Sequence, residues 1–255
     1  NYEYIKTFEN VDKVILYKKN IINFFLIIFK LIKIKFNFSI IHDEKNRSKL
    51  INYFIRKEKT LFIKSYISQT KINIIKTIIN KLSFNYSTDD LNILDNRFLS
   101  LHKRSNEYLI LHYDEKWSNL TYIKEYKDVE PDTKEFIKFL KKLIHLTKLE
   151  IIISTGRNTP KFLKNFKLNN SIDDIKILEN QSFMDIERLV ANSKLLISCH
   201  GAISHIAAAK NIKQIDIIDV NLKNPYSNWT SHFRNYNHVY RKKFDELSID
   251  IFKLL

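Results

Sequence analysis

The chain has 255 residues, with 43 Lys and Arg against 28 Asp and Glu, a formal net charge of +15. At roughly 150 residues per domain this is material for two compact units, and 44% hydrophobic with 13% aromatic residues excludes intrinsic disorder and fibrous repeats. A single cysteine, Cys199, leaves no disulfide framework and no multi-cysteine metal site, so a cytoplasmic, reducing setting is expected.

Two Gly and three Pro stand beside an excess of Ile, Lys, Asn, Phe and Tyr, the imprint of an AT-rich genome. Part of the positive charge then reads as a solvated Lys-rich surface. No single segment carries a basic stripe interleaved with aromatics, so no specific nucleic-acid partner is expected. Where glycine is so sparse, Gly156 and Gly201 are expected at positions of positive φ or of close backbone approach.

The sequence opens at Asn1 with neither Met nor a charged-then-apolar leader. No signal peptide is expected, and the chain reads as a fragment. Strands are expected over 13–17, 36–41 and 60–64, with helices over 21–33, 45–55 and 71–82, a βαβ pattern. The apolar run 21–29 falls short of the roughly 20 residues needed to span a bilayer. It reads as a buried helix, the alternative being peripheral docking on an anionic membrane through Lys30, Lys33 and Lys35. The pattern turns polar and aperiodic over 88–106. A partial first domain is therefore placed at 1–95, a linker at 96–106 and a second domain at 107–255.

The second domain opens with a strand over 108–113. A helix follows, marked at its start by Pro131, Asp132 and Glu135. Strands are then expected over 149–154, 175–178, 194–199 and 214–219, with helices over 182–192 and from about Ala202.

The sharpest constellation is ISCHGAISHIAAAKN, residues 197–211. A buried strand ends at Cys199, the backbone turns at His200 and Gly201, and a helix starts at Ala202 with Ser204 and His205 in its first turns. A helix N-terminus favours an anion such as a pyrophosphate, while the plainer reading is a strand–turn–helix with satisfied histidines. Ligands of open α/β sheets bind beyond the carboxyl ends of the strands. That rule brings HYDEKW (112–117), with Lys116 and Trp117, and STGRN (154–158), with Ser154, Thr155, Gly156 and Arg157, to the same crevice. Lys116 or Arg157 would neutralise phosphate, and Trp117 would stack there or plug the base of its loop. The same rule aims Asp43, Arg47 and Ser48 at the cleft. Asp43 would take a proton and Arg47 hold an acceptor anion, unless Asp43 merely caps a helix and Arg47 pairs with Glu44.

These residues carry a resemblance. LVANSKLLISCHGAISHIAAAKN resembles the bacterial heptosyltransferases, glycosyltransferase family nine, in the stretch acidic-Thr-Gly-x-x-His-x-Ala-x-Ala that binds the donor diphosphate; Ser204, His205, Ala207 and Ala208 fall on its positions. EYLILHYDEKW is similar to the family's first C-terminal strand with its Lys and Trp, matched by Lys116 and Trp117. FSIIHDEKNRSKL resembles an Asp-rich turn followed by Arg-Ser-x-Leu, matched by Arg47, Ser48 and Leu50. In place of the acidic-Thr-Gly triplet stand His200, Gly201 and Ala202.

The resemblance implies an α/β fold of two Rossmann-like domains (the GT-B type) with parallel sheets flanked by helices, the first truncated at its N-terminus. It implies metal-independent sugar transfer from a nucleotide-sugar donor, ADP-heptose in the family, to lipopolysaccharide or another surface glycan at the cytoplasmic face of the inner membrane. No separate cofactor is implied. His200, Gly201, Ala202, Ser204, His205 and Lys116 would hold the diphosphate, and Arg47 and Ser48 the acceptor. The family's general base would lie upstream of Asn1. The rivals are a sugar-nucleotide epimerase on the same fold and a basic nucleic-acid-binding protein.

Overall fold

The computed structural model describes residues 2–43, 45–63, 70–87, 89–90, 107–117, 130–156, 158–169 and 175–255. They divide into two units, one within Asn1–Ile93 and Ser227–His232, the other within Leu94–Tyr226 and Phe233–Leu255. The expected linker at 96–106 lies outside the described residues. The segment Ser227–His232, within the range 107–255, groups with the first unit.

In the first unit the elements are α1 (Tyr2–Ile5), α2 (Ile21–Leu31), β1 (Lys35–Ile41), α3 (Asn46–Phe54), β2 (Arg56–Phe62) and α4 (Lys71–Lys81). β1 and β2 pair in parallel, Phe36 opposite Lys57 and Ile41 opposite Phe62. The strand expected over 13–17 does not form: that stretch pairs with none of the described strands, and Leu16 is exposed. Alternation of apolar residues without a partner strand makes no ladder. β2 starts at Arg56, earlier than expected, because a half-exposed two-stranded sheet tolerates the charged run 56–59 that hides it. Asn20 caps α2 by accepting from the Asn23 N–H at 2.6 Å. The expected burial of this helix is corrected. Only Ile27 and Ile28 are buried, whereas Ile21, Ile22, Phe25, Leu26 and Phe29 are 50% or more exposed. Among the described residues the sheet of this unit has two strands, too little surface to cover a helix that is apolar on nearly every side.

The second unit holds β3 (Tyr108–His112), α5 (Thr133–Thr147), β4 (Glu150–Ser154), α6 (Lys161–Asn169), β5 (Ile175–Leu178), α7 (Phe183–Ala191), β6 (Leu195–Cys199), α8 (Ala202–Ala209), β7 (Lys213–Ile218), the start of α9 (Lys223–Thr230), β8 (Tyr236–Tyr240) and α10 (Phe244–Phe252). Its six described strands are all parallel, in the order β5-β4-β3-β6-β7-β8. Strands covered on both faces must be apolar throughout, and β3 and β6 are buried at every position. Alternate side chains of β3 feed two cores: Leu109 and Leu111 join an aromatic layer with Phe136, Phe139, Phe166 and Phe244, while Tyr108 and Ile110 join Ile186, Val190, Ile203 and Ala207. α5 forms as expected. Asp132 accepts from the Glu135 N–H at 2.8 Å, Glu135 accepts from the Asp132 N–H at 3.0 Å, and the buried stripe is Phe136, Phe139, Leu140 and Leu143.

This strand order has a switch point. From β3 the chain winds one way through β4 and β5, then returns to the other side of β3 and continues through β6, β7 and β8. The loops leaving β3 and β6 therefore diverge and open a crevice at their carboxyl ends.

Candidate functional site

Three loops meet at that crevice. Beyond β3, Glu115–Trp117 form a turn of 3-10 helix that turns Lys116 towards the end of β6. Its Nζ lies 2.7 Å from Asp114 Oδ2 and donates to the Cys199 carbonyl at 3.4 Å. Burial works against the ammonium charge, but the adjacent Asp114 carboxylate outweighs it and holds Lys116 above the usual lysine range. Beyond β4, a Cβ placed on Gly156 would come 3.4 Å from Glu115 Oε2 and 3.7 Å from Asp114 Cβ. Beyond β6, Gly201 caps α8.

The two glycines behave differently from one half of the expectation. Neither has positive φ, and Gly201 is extended at φ −179°, a conformation open to any residue. The reason for Gly201 is close approach: a Cβ there would stand 2.5 Å from Lys116 Nζ, so a side chain would push the ammonium away from the loop. The Gly201 N–H is also not a donor for ligand, since Ser204 Oγ accepts from it at 3.3 Å. The donors offered by α8 are the first-turn N–H groups of Ala202 and Ile203, which have no acceptor within the helix.

Behind the loop stands a carboxylate that the sequence reading missed. Asp216, on β7, is fully buried and accepts from Ser204 Oγ at 2.7 Å and Ser198 Oγ at 3.2 Å, with His200 Nδ1 2.6 Å from its other oxygen. It stands within QIDIID, residues 214–219, where nothing in the local sequence says that its side chain meets the loop after β6. The His200 ring lies edge-to-face with Tyr226, centroids 4.8 Å apart, and with His205 at 5.5 Å. His205 is half-buried and lies edge-on to Phe233. Arg241, just after β8, is a second missed residue; its Nη2 donates to the Lys116 carbonyl and lies 2.9 Å from Cys199 Sγ. No local signal marks it.

Several expected cleft residues lie behind the opening instead. Trp117 is fully buried, stacked on Tyr113 with centroids 4.9 Å apart, and its Nε1–H donates to the His112 carbonyl at 2.8 Å. It plugs the base of the loop, because its ring completes the aromatic core. Ser154 is buried with Oγ 2.9 Å from His112 Nδ1, and buried Thr155 Oγ1 accepts from the Asn180 N–H at 3.1 Å. Both hold strand ends together. Burial pushes His112 down to about 4 against the pull of Asp114, so the ring is neutral near pH 7. Arg157 lies outside the described residues.

Asp43, Arg47 and Ser48 belong to the other unit. Asp43 does not cap α3, whose N-cap is Lys45; a hydrogen bond from Ser48 holds its carboxyl below the usual range, which weakens it as a proton acceptor. Glu44 lies outside the described residues. Arg47 rests over the Tyr17 ring at 4.8 Å, and the two residues line a surface hollow of about 560 Å³ with Lys19, Asn20 and Phe24.

Cys199 is buried beside the loop, and this burial pushes its thiol up to about 12 although Arg241 pulls the other way. Thiolate is the reactive form. Native protein at pH 8 should therefore resist iodoacetamide, with full alkylation appearing by mass spectrometry only in denaturant. Rapid native alkylation would show that the loop opens.

No protein-family model matches the chain, and no curated protein matches it in sequence. Solved structures do. A glycosyl transferase of family 9 from Veillonella parvula is 11% identical and superposes with a TM-score of 0.66 over 98% of this chain and 80% of its own. The E. coli heptosyltransferase WaaC, solved with ADP, is 12% identical, with a TM-score of 0.61 over 92% and 78%. The UDP-GlcNAc 2-epimerase of Methanocaldococcus jannaschii is 14% identical, with a TM-score of 0.53 over 90% and 73%. At such identities the likeness establishes the fold, the α/β class with parallel sheets flanked by helices that was expected from the sequence.

Proposed function

We propose that this chain is a glycosyltransferase that binds a nucleotide-diphosphate sugar at the end of β3 and β6 and transfers the sugar without a metal ion. The observation that carries the reading is the Lys116 ammonium lying against Gly201 at the N-terminus of α8. A diphosphate leaving group gains negative charge as the glycosidic bond breaks. A fixed cation and two free-ended helix N–H groups stabilise that charge more than they stabilise the intact donor. Asp114 keeps Lys116 protonated and aimed, and Arg241 ties the Lys116 backbone to the end of β6. Asp43 precedes the Arg47 loop, and its lowered affinity for a proton makes it a weak base for the acceptor hydroxyl.

The heptosyltransferase solved with ADP supports a sugar-nucleotide ligand, and the likeness to the E. coli ADP-heptose lps heptosyltransferase II favours ADP-heptose as donor and a lipopolysaccharide-like surface glycan as acceptor. The exposed apolar stripe of α2, with Lys30 and Lys33 beside it, supports peripheral contact with an anionic membrane at the cytoplasmic face.

Calorimetric titration of the protein with ADP, UDP and AMP tests the site. Binding of a nucleoside diphosphate in preference to AMP is expected. Failure of both diphosphates, with salt-sensitive binding of RNA or DNA instead, would establish the basic nucleic-acid-binding rival. Conversion of UDP-GlcNAc to its 2-epimer would establish the epimerase.

A further inference from the structure

Several surface lysines of the second unit meet carboxylates: Lys167 pairs with Glu179, Lys194 with Glu107, and Lys242 and Lys253 both with Asp250. The outer face of α5 is different. Lys134, Lys138, Lys141 and Lys142 are exposed there, and among the described residues no ion pair reaches them. The one acid of the helix, Glu135, accepts from the Asp132 N–H in the capping box. Lys138 has a lysine four residues before it and others three and four residues after it. Like charges at these spacings repel and cost the helix stability. Together with Ile137 and His145 the four lysines line a hollow of about 590 Å³, which follows about 17 Å of helix. Lys142 Nζ, at one edge of it, lies 4.8 Å from the centre of the Phe252 ring on α10.

Long lysine stems cover apolar surface while their ammonium groups reach outward. Such a face is complementary to a layer of anions with apolar matter beneath it. Base recognition and tight protein interfaces call instead for arginine and aromatic side chains, and the lining of this hollow has neither. We infer that the outer face of α5 docks on an anionic lipid bilayer, with its ammonium groups among the headgroup phosphates and Ile137 and the lysine stems against the layer below. The inference rests on the proposed contact of this chain with an anionic membrane. It adds to the α2 stripe a second surface, on the unit that carries the candidate site. Attraction to the anionic leaflet offsets the repulsion among the lysines, because each ammonium gains countercharges there.

Flotation with vesicles of phosphatidylcholine and phosphatidylglycerol in equal parts, against phosphatidylcholine alone, tests the surface. Wild type is expected to bind the anionic vesicles, and the binding should fall as salt is raised. Lys134→Gln, Lys138→Gln and Lys141→Gln combined should weaken it on the order of a hundredfold, about fivefold for each charge removed. Lys→Arg at the same three positions should preserve it. All three side chains are exposed, so urea denaturation should show the glutamine variant as stable as wild type or slightly more so, which keeps a folding defect out of the comparison. If the glutamine variant binds vesicles like wild type while Phe25→Ser with Phe29→Ser on α2 abolishes binding, the α5 inference falls and the α2 contact stands. Wild-type protein that leaves anionic vesicles unbound overturns the membrane contact as a whole, and this surface with it. If the three lysines are needed to bind RNA and not to bind vesicles, the face belongs to a nucleic acid and the inference is overturned.

Discussion

Replacing Lys116 by Met is expected to weaken ADP binding about tenfold to a hundredfold, the loss of a hydrogen bond of about 1.5–3 kcal/mol to a charged phosphate. It should also lower the free energy of unfolding by about 3 kcal/mol. The two effects have different origins. The first comes from removing the cation that lies against Gly201, where a ligand at the α8 N-terminus would sit. The second comes from leaving Asp114, only 4% exposed, without the ammonium 2.7 Å away, and His112 is a poor replacement because its ring is neutral near pH 7. Adding Asp114→Asn to Lys116→Met should recover most of the stability but none of the affinity. Calorimetry with ADP and urea denaturation separate the two. A variant that is less stable yet binds ADP with unchanged affinity would reduce Lys116 to a structural ion pair.

Lys210→Met is expected to cost about 3–5 kcal/mol of stability, because it strands a carboxylate in the interior. Lys210 Nζ lies 3.1 Å from Glu187 Oε1, with side chains 0% and 1% exposed. The pair joins the C-terminal end of α8 to the middle of α7. Each charge is desolvated at a cost that the other helps to offset. The double variant Glu187→Met with Lys210→Met, which fills the same space with apolar groups, should return to within about 1 kcal/mol of wild type or exceed it. Urea denaturation of the single and double variants gives the comparison directly. A loss under about 1 kcal/mol in the single variant would mean that water reaches the pair. Because α8 also carries the candidate site, ADP affinity in the refolded double variant checks that its N-terminus has kept its place.

How much of this was legible along the chain varies by element. β3, β4, β5, β6 and β7 were, and so was α5. A parallel strand covered on both faces has to be apolar along its length, as YLILH and LLISC are, and the Asp132–Glu135 capping box leaves its mark in four residues. α6, β8 and α10 were not anticipated. YNHVY has one buried side chain, Val239, and reads as loop until a neighbouring strand pairs with it. The run 21–29 misled for a related reason: its apolar composition says that it seeks cover, and the described part of its unit supplies cover on one side only.

At the candidate site, local pattern identified the strand ends, the two glycines and Lys116. A strand–turn–helix transition and a rare residue are properties of short segments, and the rule for open sheets then places those segments at one edge. It could not distinguish the surface of that edge from its interior. Trp117, Ser154 and Thr155 are as polar or as amphipathic as true lining residues, and only packing shows that they face inward. Nor could it reveal Asp216 under His200, Arg241 against Cys199, or how closely the Lys116 ammonium approaches residue 201. Each of these depends on which strands become neighbours. That is decided where the strand order reverses at β3 and β6, bringing together residues far apart in the chain whose contacts leave no periodic trace in the sequence.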